Sequence, residues 1–288
     1  MAEYITCTPK RLPKKMLIAA AETARRINPV NHPALHRLRG IMPGFAPTKQ
    51  RIAVVTTKFW GAQGVRLTVG FLDSPPRDLR ARILAHMNAW APKVNVSFAE
   101  SRVDPQVRIA RIPGDGYWSY VGTDILSIAK DEPTMNLEGF TMDTPDREFH
   151  RVVRHETGHT IGCPHEHMRK ALVAKIDPRK AIKFFGDTQG WSPTEVRQQV
   201  LTPLEESSLL GSDESDPISI MCYQIPGSIT KNGKPIPGGK DIGRKDFEFM
   251  AKVYPVAVGA LKKKKRTSPR AAGRRSRRTA KSKSRRRA

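Results

Sequence analysis

The chain has 288 residues, 38% of them hydrophobic, which is enough to bury a sizeable core in one large domain or two small ones. Its formal charge of +24 is unevenly spread: residues 262–288 carry 15 of the 51 Lys and Arg and none of the 27 acids, leaving 36 basic residues and a net +9 for the body. Three scattered cysteines exclude a disulfide framework and point to a reducing compartment or indifference to redox, and the lack of any 18-residue apolar run excludes a membrane-spanning helix.

From the N-terminus, the short apolar run in "KKMLIAAAETARR" is cut off by Glu22, Arg25 and Arg26, so it reads as a helix rather than an export signal and makes the cytoplasm the default location. A Pro- and His-bearing connector follows, and residues 1–50 read as an appendage, a wrapped arm or a pro-region. Next, "RIAVVTTKFW" and "VRLTVGFL" predict strands, and "SPPRDLRARILAHMNAW" predicts a helix with Leu79, Ile83, Leu84 and Met87 on its apolar face. "VNVSF" and "VRIAR" predict two more strands, "GDGYWSYVG" a loop, and "TMNLEGF" a short edge-like strand.

"TPDREFHRVVRHETGHTIG" predicts a helix with Thr144 as N-cap and Pro145 at its first position, stopping at Gly162. Ser192 and Glu195, at capping-box spacing, start another helix in "SPTEVRQQV", and "GRKDFEFMAKVY" predicts a last one. The remaining residues have no apolar periodicity and predict a disordered polybasic tail over 258–288.

Four of the eight histidines fall in "RHETGHTIGCPHEH", residues 154–167. On a helix, residues four apart project from one face, so His155 and His159 can hold one zinc ion. Glu156 beside them is placed to take a proton from a water rather than to ligate. Gly162 can break the helix with positive φ and Pro164 keeps it from resuming, which frees His165 to reach the metal from another side. Three neutral imidazoles with an open position are a catalytic zinc arrangement. Chance supplies these five residues at their offsets on the order of once in 10⁵ chains of this length. His167 has no such spacing and reads as a surface or supporting histidine.

The pattern H-E-x-x-H-x-x-G-x-x-H resembles the metzincin signature, whose companion is a downstream Met-turn. "SIMCY" resembles the Met-turn of the astacin family of zinc metalloproteases, and "HEHMR", with Glu166 and Arg169, resembles the family's continuation after the third His. "YWSYVG" resembles the loop before the substrate-binding edge strand, which would lay "TMNLEGF" along the cleft. The likeness covers roughly residues 51–255. It implies an α+β, metzincin-like fold: an N-terminal twisted mixed sheet with helices that include the zinc-binding one, then a smaller irregular C-terminal subdomain with the Met-turn and a last helix. The implied domain runs over residues 51–257. The implied site is one zinc ion per chain on His155, His159 and His165, with Met221 beneath it and Tyr223 as an extra ligand that also holds the oxyanion.

There are departures. Family members usually carry two disulfides; Tyr117 and Phe140 stand where one would fall, suggesting apolar contacts in place of a crosslink, and nothing replaces the other. Cys163 and Cys222 flank the metal ligands without belonging to the set. A family propeptide Asp in an F-x-G-D motif caps the zinc, but here "FFGD" lies at 184–187, after the zinc helix, and reads as incidental. In processed members the Glu after the third His, here Glu166, holds the new N-terminus. A thiolate cap by Cys7 is the lesser of that residue's readings.

These readings predict a zinc metalloendopeptidase that hydrolyses internal peptide bonds of protein or peptide substrates, with Glu156 as general base and acid and the 262–288 tail as a tether to nucleic acid or another polyanion. The competing readings are a polyanion-binding protein on a catalytically dispensable metzincin scaffold and a zinc hydrolase with a substrate other than peptide.

Overall fold

In the computed structural model, residues 7–8, 10–33, 48–49, 56–203 and 215–256 are described. The polybasic tail and residues 51–55 of the first predicted strand lie outside them. Five strands make one sheet: β1 (Val65–Phe71), β2 (Val96–Glu100), β3 (Val107–Ala110), β4 (Tyr117–Ser119) and β5 (Met135–Leu137), in the order β2-β1-β3-β5-β4. The first four positions in that order are joined in parallel and β4 is antiparallel to β5, so the sheet is mixed as expected. Alternation along β1 turns Val65, Leu67 and Val69 into the core, where helix α2 (Arg77–Met87) meets them with Leu79, Ile83 and Met87.

Three strand assignments are corrected. Tyr117–Ser119, read as loop, is the edge strand β4, and the supposed edge strand in "TMNLEGF" is β5, enclosed between β3 and β4. Residues 56–60 form no strand. Their β-prone backbone is satisfied by side chains instead: Asn31 Oδ1 accepts from Phe59 N at 2.9 Å, Asn31 Nδ2 donates to Phe59 O at 2.7 Å, and Tyr254 Oη accepts from Trp60 N at 2.9 Å.

The arm is thus wrapped rather than appended. Helix α1 (Leu17–Ile27) buries Ala20, Ala21 and Ala24, and Asn28 Nδ2 donates to Trp60 O at 2.6 Å. The long central helix α3 runs without interruption through Asp146–Glu148, a π-helical turn at Phe149–Val153, and Arg154–Thr160. Its N-cap is Pro145 and not Thr144, whose hydroxyl instead accepts from Thr141 N within the preceding turn.

Beyond α3 the chain is largely irregular, and a second apolar cluster gathers Leu172, Ile176, Phe185, Val196, Val200 and Ile225. Helix α4 (Pro178–Gln189) carries the "FFGD" stretch: Phe185 faces that cluster, while Asp187 is exposed and paired with Lys183 at 2.8 Å. Helix α5 (Pro193–Val196) opens with the predicted Ser192–Glu195 capping box, and α6 (Arg244–Val253) is the expected last helix.

Candidate metal centre

The last turns of α3 carry His155, Glu156 and His159, all buried although polar. After Thr160 the helix closes with Gly162 at φ +104°, and the chain turns back so that His165 faces the other two imidazoles. A Cβ on Gly162 would stand 2.8 Å from Phe59 Cδ1, so both the conformation and the space there demand glycine.

Protonation at the site follows from the carbonyls around it. His155 Nδ1 lies 2.6 Å from Ile220 O and His159 Nδ1 lies 2.7 Å from Cys163 O. A carbonyl only accepts, so both imidazoles carry their proton on Nδ1 and present a lone pair at Nε2. His165 Nε2 sits 3.2 Å from the first of these nitrogens and 3.0 Å from the second. One proton on His165 can serve only one of its neighbours; a shared cation serves all three. Burial pushes His155 and His165 well below the usual imidazole range and His159 down to about 4, which keeps all three in the neutral form a metal needs. The donor set, three imidazoles, suits zinc.

Glu156 is held by the edge strand. Ser119 Oγ of β4 donates to Glu156 Oε2 at 2.9 Å, and Oε1 has no partner among the described residues. Burial, opposed by hydrogen bonds from Cys7 and Ser119, pushes its carboxyl up to about 7. A carboxylate poised there can both take and return a proton near neutrality.

The floor of the site is the segment 219–223. Asp246 of α6 clamps it, accepting from Ser219 Oγ at 2.5 Å, Ile220 N at 3.1 Å and Gly243 N at 2.7 Å. Met221 packs directly against Gly158, between the two helical histidines, where any Cβ would collide with its sulfur. Its carbonyl accepts from Glu166 N at 2.8 Å, tying the floor to the segment bearing His165. The Tyr223 ring lies 4.3 Å from that of His165, and its buried hydroxyl has no partner among the described residues.

Sequence reasoning placed the histidines, Glu156, Met221 and Tyr223 together, and the structure brings them together. It missed three supports. His167, read as a surface or supporting histidine, is the supporting one, and what was missed is its partner: its buried ring stacks on Tyr223 at 3.8 Å and 19°, and its Nε2 bonds Gln199 O at 2.8 Å. Ser119 gave no signal within a presumed loop. Asp246 did give one, standing three residues after Gly243 where a helix-capping carboxylate belongs. Cys163 contributes its carbonyl, with its thiol turned to Met250, and the Cys222 thiol lies against Tyr223 O. Glu166 bonds Arg169 at 3.2 Å and accepts from Asp216 N at 2.8 Å.

A mixed sheet backing a helix with two ligands, a third beyond a glycine break and a methionine floor together define a zinc metalloprotease of the metzincin type. The chain belongs to the astacin family of zinc metalloproteases. No protein-family model matches it. Among solved structures it is similar to myroilysin, with 30% identity and a TM-score of 0.65 over 70% of this chain and 97% of that one. A second structure of myroilysin agrees at 29% identity and a TM-score of 0.54, over 69% and 86% of the two chains. The zinc metalloproteinase nas-27 of Caenorhabditis elegans is 35% identical over 95 residues, 33% of this chain, and the match spans only 20% of that relative.

Proposed function

We propose that the chain is a zinc-dependent endopeptidase that hydrolyses internal bonds of protein substrates. The observation that carries this reading is the convergence of three buried Nε2 atoms, two with their Nδ1 protons fixed by carbonyls, beside a carboxylate with one oxygen unpartnered among the described residues. His155, His159 and His165 would hold a zinc ion, which would supply Lewis acidity to lower the pKa of a water toward about 7 and polarise the scissile carbonyl. Glu156 takes the water proton on Oε1 while Ser119 holds Oε2, then returns it to the leaving amine. Tyr223, kept protonated by a pKa raised well above the phenol range, donates to the oxyanion developing on the carbonyl. An extended substrate lies along the outer side of β4, the strand that carries Ser119, in the place that residues 7–8 and 10 occupy in this structure.

The test is digestion of casein, with Glu156→Gln as the matched control. Zinc content should be unchanged in the variant and turnover lower by about 10²–10⁴-fold. Equal turnover would remove Glu156 from the reaction.

The tail supports a second element of the reading, tethering to polyanions. Fifteen cations without one aromatic residue favour phosphate contact over base stacking. DNA binding should fall steeply between 50 and 200 mM salt, by roughly 10³-fold or more for six or more phosphate contacts. It should vanish on truncation after Leu261, and no binding at low salt would end the idea. The three unpaired cysteines support a reducing setting for the enzyme.

A further inference from the structure

A second group of metal-ligating side chains lies where the end of α2 packs on the start of α3. His86 is in the last turn of α2, and Asp146 and His150, four residues apart, share one face of α3. A ring nitrogen of each histidine and a carboxylate oxygen of Asp146 all lie within 4.8 Å of one another. His150 Nε2 is 3.2 Å from Asp146 Oδ2, and His86 Nε2 is 3.5 Å from Asp146 Oδ1. Donors about 2.0–2.2 Å from a tetrahedral zinc stand about 3.3–3.6 Å apart, so these three are already spaced to share one ion. Asp146 is exposed and His150 partly so, which leaves the group open to solvent.

The hydrogen bonds around the group fix its protonation. His150 Nδ1 lies 2.9 Å from Asp241 Oδ2, a carboxylate oxygen that accepts, so Nδ1 carries the proton. Arg154 only donates, and its Nη2 stands 3.3 Å from His150 Nε2, which therefore presents a lone pair beside Asp146. Carboxylate, imidazole and a free Nε2 in line are the arrangement that orients a metal-bound histidine. Arg154 Nε donates likewise to His86 Nδ1 at 3.3 Å, while its Nη1 is held by Asp241 Oδ1 at 2.6 Å. Arg154 thus keeps its short ion pair if it gives up its two long contacts to the rings.

We propose that His86, Asp146 and His150 form an accessory site for a second zinc ion, completed by water, with Asp241 as the carboxylate that orients His150. The ion replaces Arg154 as the partner of both rings, and the His86 proton shifts from Nε2 to Nδ1 as Arg154 withdraws. That exchange makes the site weaker than the three-histidine centre. Charge selects the class of metal. Asp146 is balanced by Arg82 at 3.1 Å and Asp241 by Arg154, so the attraction comes from imidazole donors rather than from net negative charge. Imidazole favours zinc, whereas calcium and magnesium require more oxygen ligands than are present. The bound ion ties α2 to α3 and, through Asp241, to the segment whose Pro237, Gly239 and Lys240 line the cleft beside His155 and Glu156. The site stands whether or not the chain is a peptidase.

Calorimetric titration of zinc into the full chain, with its first equivalent in place, tests this. The wild type should take up one further equivalent, and His150→Ala and Asp146→Asn should take up none. Asp241→Asn leaves all three ligands and should weaken the further equivalent by about 10–100-fold. Calcium or magnesium at the same concentration should give no binding heat. No further equivalent in the wild type, or one that survives both ligand substitutions, overturns the site, and calcium binding as tightly as zinc overturns the role of the imidazoles. Asp146→Asn alters an exposed side chain at constant size, so it carries the test if His150→Ala fails to fold. Casein digestion is read separately, so the accessory site and the peptidase reading can fail independently.

Discussion

Gly162 turns the chain from the second ligand to the third, and replacing it tests whether that turn is as constrained as its surroundings imply. Its φ of +104° is one that L residues rarely adopt, at a cost of about 1–3 kcal/mol for alanine. A methyl group there would also sit 2.8 Å from Phe59 Cδ1 and 3.3 Å from Lys58 O. Phe59 is only 1% exposed and packed in the main core, so its retreat adds about 1–3 kcal/mol of overpacking. The smaller entropy of unfolded alanine returns about 0.4–1 kcal/mol. Gly162→Ala should therefore destabilise by about 1–5 kcal/mol, a large share of a total stability of order 5–15 kcal/mol. Gly190 is the control: it caps α4 at φ +67°, and a Cβ there meets nothing within 4 Å. Gly190→Ala should cost only the conformational part, about 1–2 kcal/mol. Urea unfolding of both variants, with zinc and with chelator, reads the difference. Because the strain is in the polypeptide, the gap should persist without metal, and Gly162→Ala should also bind zinc more weakly through a displaced His165. Equal costs at the two sites would refute the close approach of Phe59 as the reason for glycine.

Two further predictions concern the tyrosine and pH. Tyr223→Phe should keep zinc and lower kcat by about 10²–10³-fold. His167→Ala should lower kcat in the wild type and much less in the Tyr223→Phe background, because the stacked ring acts through the hydroxyl it positions; additive losses would deny that coupling. Burial, then the positive charge of Arg154, lowers His86 to about 4 from an ordinary 6.5, with Arg82 and His150 adding to the shift and Asp146 opposing it. The folded form thus refuses a proton that the unfolded chain accepts, so its contribution to stability is present above pH 6.5 and lost as pH falls toward 4. His86→Phe keeps the packing against Phe149 and should shrink the drop in Tm between pH 7 and 5; parallel drops in variant and wild type would contradict this.

The metal site was legible because its information is local. Five residues within "HETGHTIGCPH" are fixed by helical spacing and one glycine break. The capping box at Ser192 and the apolar face of α2 were legible for the same reason. The rest depends on partners far along the chain. Three-residue strands such as β4 and β5 carry no readable period, so which lies at the edge is settled only by pairing with β3. Residues 56–60 look like a strand until Asn31 and Tyr254 take their hydrogen bonds. Whether His167 is a surface or a supporting residue is decided only by Tyr223, fifty-six positions later, which stacks on it.

The missing crosslink shows how the same scaffold is held by other means. Tyr117 and Phe140, where the family resemblance leads one to expect a disulfide, meet edge to face at 5.7 Å and 79°. Phe140 in turn meets Phe149 of α3 at 5.0 Å and 83°, and the Arg82 guanidinium lies 3.8 Å above Phe149. Each ring pair contributes about 0.5–1.5 kcal/mol beyond its buried area, so two pairs together approach the roughly 2–4 kcal/mol of a disulfide. The mechanisms differ in where they act. A disulfide works largely on the unfolded chain by restricting its freedom; the aromatic stack stabilises the folded state alone and is indifferent to reductant. It also joins three parts that a bond between residues 117 and 140 would leave as two: the edge strand, the loop after β5 and the helix that bears the metal ligands. The edge strand that presents Ser119 to Glu156 is thereby fixed to the helix that presents Glu156, and the alignment of the general base survives in a chain whose cysteines all remain thiols.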